Sequence, residues 1–83
     1  MKAKVYVTLK KSISDPKGTA VKSSLNQLGF QEVKEVRMGK YIEIEMQDMP
    51  KEQAKETVQS MCKKLLANEV METYQIEIME GQK

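Results

Sequence analysis

No histidine occurs anywhere in the 83 residues, which removes the commonest general base and with it any Ser-His-Asp or Cys-His arrangement. Cysteine appears once, as Cys62, so no intrachain disulfide can form and a cysteine-histidine metal site has no ligand set. Tryptophan is absent and phenylalanine occurs once. No apolar run approaches the roughly 18 residues that span a bilayer. The start, Met1-Lys2-Ala3-Lys4-Val5, leads straight into a strand pattern rather than the apolar core of a signal peptide, which predicts a cytoplasmic protein with no membrane partner. Neither sign of charge dominates: 14 basic against 12 acidic side chains leave a net charge of +2, without the basic bias that a nucleic-acid binder carries.

A chain of this length has room for one domain, residues 1–83, with a modest core that buries roughly 60 to 65% of the unfolded surface. Oligomerisation is then an attractive way to bury more. Ala3, Val5, Val7 and Leu9 alternate with Lys4, Tyr6, Thr8 and Lys10, the period of a half-buried strand. Asp15-Pro16 reads as an N-cap followed by proline in the first helical turn. The helix it opens would bury Val21, Leu25 and Leu28 and close at Gly29, with Leu25 and Phe30 as the paired residues of a Schellman ending.

Val33 to Met38 alternates less cleanly and is expected to be a second strand, joined in a hairpin through a positive-φ Gly39 to a third strand from Tyr41 to Met46. Asp48-Met49-Pro50 repeats the acid-plus-proline helix start. Ala54, Thr57, Val58, Met61, Cys62 and Leu65 then recur at helical spacing to about Leu66. Tyr74, Ile76 and Ile78 mark a last strand before the polar tail Gly81-Gln82-Lys83. The order βαββαβ predicts an α+β, ferredoxin-like two-layer sandwich, an antiparallel sheet with both helices on one face.

Within that frame no residue set makes a catalytic, cofactor-binding or metal-binding constellation. Cys62 falls in an apolar helix stripe and reads as a small core residue. Glu43 and Glu45 share a strand face and read as solvated surface. The seven methionines suit flexible packing in cores or interfaces. Tyr6 and Tyr41 project from the face opposite the helices, where an RNA-recognition sheet would carry aromatics, but Glu43, Glu45 and Glu77 share that face and would repel phosphate. The two tyrosines are instead candidates for an oligomer interface. Arg37 and Lys40 bracket Gly39 and are candidates for partner contact, against the plainer reading of a solvated hairpin tip. Asp15 has a structural reason to be where it is, as a cap. Gly18 costs about 1 kcal/mol relative to alanine inside a helix, which close backbone approach by a partner would explain.

Several of these segments resemble the PurS family, the small subunit of phosphoribosylformylglycinamidine synthase. Lys4-Val5-Tyr6-Val7-Thr8-Leu9-Lys10 followed by Asp15-Pro16-Lys17-Gly18 is similar to the family's opening strand and Asp-Pro-x-Gly. Leu28-Gly29-Phe30 and Val36-Arg37-Met38-Gly39-Lys40 resemble its Leu-Gly-Phe and Val-Arg-x-Gly-Lys segments. Leu65-Leu66-Ala67-Asn68 with Val70 and the closing Tyr74-Gln75-Ile76-Glu77-Ile78 complete the likeness, with Glu69 where many members carry proline.

The resemblance implies a non-catalytic subunit that binds no cofactor itself. It would bring together a large synthetase subunit, which uses ATP and Mg, and a glutaminase subunit, for glutamine-dependent conversion of formylglycinamide ribonucleotide to the amidine. It also implies homodimers that can pair into tetramers, and it makes Asp15, Gly18, Arg37, Gly39 and Lys40 partner-contact candidates. The alternatives are an amino-acid-sensing regulatory domain of the same layout, which a free chain of this length disfavours because such domains are usually fused to an enzyme, and the RNA-binding module disfavoured above.

Overall fold

A computed structural model describes residues 1–80, and the polar tail Gly81-Gln82-Lys83 lies outside the described residues. Three strands form one antiparallel sheet in the order β2-β1-β3, with β1 Lys2–Leu9, β2 Gly39–Glu45 and β3 Glu72–Met79. Two helices, α1 Pro16–Gln27 and α2 Lys51–Met61, occupy the connections, so the ferredoxin-like α+β layout holds. No helix among the described residues is long and apolar enough to cross a membrane.

The alternation in β1 sets the sheet. Ala3, Val5 and Val7 point to one face and are almost wholly buried. In register they meet Ile44 and Ile42 of β2, and Ile78, Ile76 and Tyr74 of β3. Across from them α2 supplies Ala54 and Val58, and its C-cap residue Cys62 continues the stripe one turn further on. These six side chains are the fully buried core, and the flanking isoleucines pack against it half-exposed.

Helix α1 begins and ends as its sequence dictates. The Asp15 carboxylate accepts from the Gly18 N–H at 3.0 Å, and Pro16 takes the first turn. At the other end Phe30 N donates to Leu25 O (3.0 Å) and Gly29 N to Asn26 O (3.1 Å), the Schellman pattern, with Gly29 at φ 108°. Its expected buried stripe is not covered, however. Val21 and Leu25 are half-buried, Leu28 is 74% exposed, and the helix makes only marginal contact with the strands. The chain is correspondingly long and thin, 48 × 31 × 15 Å, with a radius of gyration of 16.2 Å. A compact chain of this length would have about 12 Å.

Three local expectations change. Residues 33–38 form no ladder, and β2 starts at Gly39, so no hairpin turn exists there. The reason is that the segment is tied to the β1–α1 connection instead: Met38 N donates to Asp15 Oδ2 at 2.7 Å, and the Arg37 guanidinium donates to the Lys10 and Ile13 carbonyls. Asp48 caps no helix; it pairs with the Met1 ammonium at 2.8 Å, and α2 starts after an extended Pro50. Finally, α2 does not run on as α-helix to Leu66. Cys62–Leu66 form a π turn closed by Ala67 N donating to Cys62 O at 3.0 Å, and Leu65, expected in the buried stripe, is 84% exposed.

Candidate partner-contact surface

Asp15, Gly18 and Arg37 come together at one end of the sheet, but they face the chain's own backbone. The Asp15 carboxylate is buried, with Oδ1 on the helix N-terminus and Oδ2 on Met38 N–H, so a single side chain joins two connections. Acceptance from Gly18, then from Met38, together with the nearby Arg37 charge, holds its carboxyl below the usual carboxylate range. A Cβ on Gly18 would collide with the Val36 carbonyl oxygen. The close approach expected at this glycine is therefore supplied by residue 36 of the same chain.

Arg37 donates through Nη2 to Lys10 O at 2.8 Å and Ile13 O at 3.0 Å, crossing the β1–α1 loop. Its guanidinium is thus turned inward on this loop rather than projecting from a hairpin tip. Gly39 has no positive φ; it is the first residue of β2, opposite Thr8, and a Cβ there would meet the Val7 carbonyl oxygen at 2.6 Å. The need for glycine is close strand approach, not turn geometry.

Lys40 is the member of the set that reaches solvent. Its side chain is 59% exposed and lies 3.9 Å from the Glu72 carboxylate, a loose surface pair. Beside it a groove of about 450 Å³ runs along the end of the sheet, lined by Leu9, Pro16, Lys17, Met38, Lys40 and Glu72. Two ammonium groups, the carboxylates of Asp15 and Glu72 and an apolar floor make a surface suited to a polar protein segment; both oxygens of Asp15 are already taken by backbone N–H donors.

On the opposite face Tyr6 and Tyr41 are direct cross-strand partners, their rings stacked at 5.2 Å with 25° between planes. The Tyr41 hydroxyl donates to Glu43 at 2.6 Å, which requires its proton and pushes its pKa up to about 12. The same bond, with Lys2 nearby, holds Glu43 low. Tyr6 is raised by its partial burial and by donation to Glu77 at 3.1 Å. The face is therefore an internally satisfied polar layer with an aromatic centre, where Lys4 sits between Glu43 and Glu77.

A PurS family profile, described as phosphoribosylformylglycinamidine (FGAM) synthase, matches residues 2–80. The chain belongs to the PurS family. It is similar to the PurS subunit of Synechocystis sp., with 48% identity over 94% of this chain and 80% of that one. The PurS subunit of Bacillus subtilis is 44% identical over 95% and 93% of the two chains. Among solved structures, Methanocaldococcus jannaschii PurS superposes with a TM-score of 0.89 at 44% identity, covering 98% of both chains. A chain of the PurLQS structure from Thermotoga maritima gives a TM-score of 0.84 at 33% identity, over 92% and 93%. The segments Asp15-Pro16-Lys17-Gly18 and Val36-Arg37-Met38-Gly39-Lys40, on which the resemblance rests, are thus the two halves of one hydrogen-bonded unit. Sequence spacing alone could not show that they touch.

Proposed function

We propose that this chain is the non-catalytic assembly subunit of phosphoribosylformylglycinamidine synthase. It brings the ATP-dependent synthetase subunit and the glutaminase subunit together, so that ammonia released from glutamine converts formylglycinamide ribonucleotide to formylglycinamidine ribonucleotide. The observation that carries this reading is the likeness over nine-tenths of both chains to a component of the Thermotoga maritima PurLQS structure. ATP and Mg belong to the synthetase subunit, this chain holds no cofactor, and the complex works in the cytoplasm. Lys40 and the groove beside it are the part of the end-of-sheet surface that meets a partner, while Asp15, Gly18 and Arg37 shape it from beneath.

The chain acts as a homodimer able to pair into a tetramer. Support comes from α1, whose Leu28 is 74% exposed, and from the half-exposed Ile42 and Ile44 on the helix side of β2. Each is an apolar surface in want of cover, and a second copy could give each to the other. Tyr6 and Tyr41, on the other face of the sheet, would serve a second contact between copies.

Reconstitution tests the assembly role. Purified synthetase and glutaminase subunits are assayed with ATP, Mg and the ribonucleotide, using either glutamine or an ammonium salt as nitrogen source. Adding this chain should restore synthesis from glutamine and change synthesis from ammonium little. Full glutamine-dependent synthesis without the chain would refute the proposal.

A further inference from the structure

The end of α2 departs from α geometry at a cost. Ala54, Val58 and Cys62 mark the buried stripe, and an α-helical continuation would keep Leu65, at i+3 from Cys62 and i+7 from Val58, on that stripe. The π turn over Cys62–Leu66 widens the last turn by one residue, so Leu66 and Ala67 pack against the core and Leu65 is turned out to 84% exposure. Such turns are rare and are found at functional positions more often than chance allows.

The connection that follows is densely hydrogen-bonded. Asn68 accepts from Val70 N through its side chain (3.0 Å) and from Met71 N and Glu72 N through its carbonyl (3.0 and 2.7 Å). Its own N–H donates to the Glu72 carboxylate at 2.8 Å, and Lys10 N anchors the loop through Met71 O. This well-bonded loop presents Val70 at 80% exposure. Lys63 and Lys64, both exposed, precede Leu65, and neither makes an ion pair among the described residues.

We infer that the π turn and its loop form a preorganised docking tip, with Leu65 as its apolar anchor and Lys63 and Lys64 as a basic rim, for a partner subunit presenting an apolar pocket edged by carboxylates. Ordering is largely complete before binding, which lowers the entropic cost of association. An apolar anchor inside a charged rim is the anatomy of a protein interface. Pairing of two such tips with each other is disfavoured, because meeting about a twofold axis would bring their lysines together. The inference rests on the assembly role proposed above and names the surface that serves it.

Leu65→Ser tests it, with Lys63→Glu plus Lys64→Glu as an independent second variant. The full-length proteins are compared by melting temperature, by sedimentation mass, and by affinity for the purified synthetase and glutaminase subunits separately. Leu65→Ser should melt like the parent, keep its mass, and bind one of the two subunits about tenfold or more weakly. The double reversal should weaken the same subunit and flatten the salt dependence of its binding. Affinity within about twofold of the parent for both subunits would overturn the inference, as would an altered oligomeric mass in Leu65→Ser, which would make the tip a self-contact. If the parent chain itself binds neither subunit, it is the assembly role that fails, a result distinct from the variant's failure to differ.

Discussion

Arg37 and Lys40 look alike on paper, two cations either side of a glycine, yet they have different work. Arg37 donates to two loop carbonyls, so Arg37→Ala removes charge-assisted hydrogen bonds and should cost about 1 to 3 kcal/mol of folding free energy in urea titrations. Lys40 has only its loose pair with Glu72, and Lys40→Ala should stay within about 0.5 kcal/mol of the parent. A variant lacking both would therefore lose stability as well as any partner contact, and Lys40→Ala is the cleaner probe of binding. Equal stability for the two single variants would contradict this division.

Asp15 makes a pH prediction. Its folded pKa is depressed by acceptance from Gly18 and Met38, whereas an unfolded aspartate titrates near about 3.9. Its contribution to stability is therefore complete above that value and is lost as pH falls through the lower folded value. Asp15→Asn should be less stable at neutral pH and should show a shallower fall in melting temperature below about pH 4. Parallel pH profiles for the two proteins would remove Asp15 from the account of acid sensitivity.

At the scale of elements, β1 and α2 carry the core, and Val58 is its centre on the helix side. Val58→Ala removes two buried methyl groups and should cost about 2 kcal/mol, seen as a lower denaturant midpoint with an unchanged slope. The same change at the exposed Val70 should be nearly silent in stability.

These elements were also the legible ones. Strict alternation located β1, β2 and β3, and the caps at Asp15 and Gly29 bounded α1, because these signals are local and nothing distant competes with them there, whereas the same acid-plus-proline signal at Asp48 is taken up by the Met1 ammonium. The failures have tertiary causes. Residues 33–38 carry a strand-like pattern, but Asp15, far away in sequence, takes the Met38 N–H that a ladder would need. Leu65 obeys helical spacing until the π turn shifts the register. Leu28 belongs to an apolar stripe that the single chain does not cover. Of the contact candidates, the motif residues Asp15, Gly18 and Arg37 were readable as a set, yet their mutual contacts were not. Leu65 read as a buried stripe residue and Val70 only as part of the family likeness, so neither was legible as an exposed apolar group.

The whole molecule is thin and incompletely covered, which is a physical argument for self-association. Sedimentation equilibrium at micromolar concentration should give a dimer or tetramer mass, and a strictly monomeric chain would contradict the reading of α1 as an interface helix. Assembly with other subunits is the larger claim, and it has a direct measurement: the masses formed when synthetase, glutaminase and this chain are mixed, compared with the same mixture without it. The account predicts one large species containing all three only when this chain is present. Synthetase and glutaminase forming an equally stable complex in its absence would contradict it.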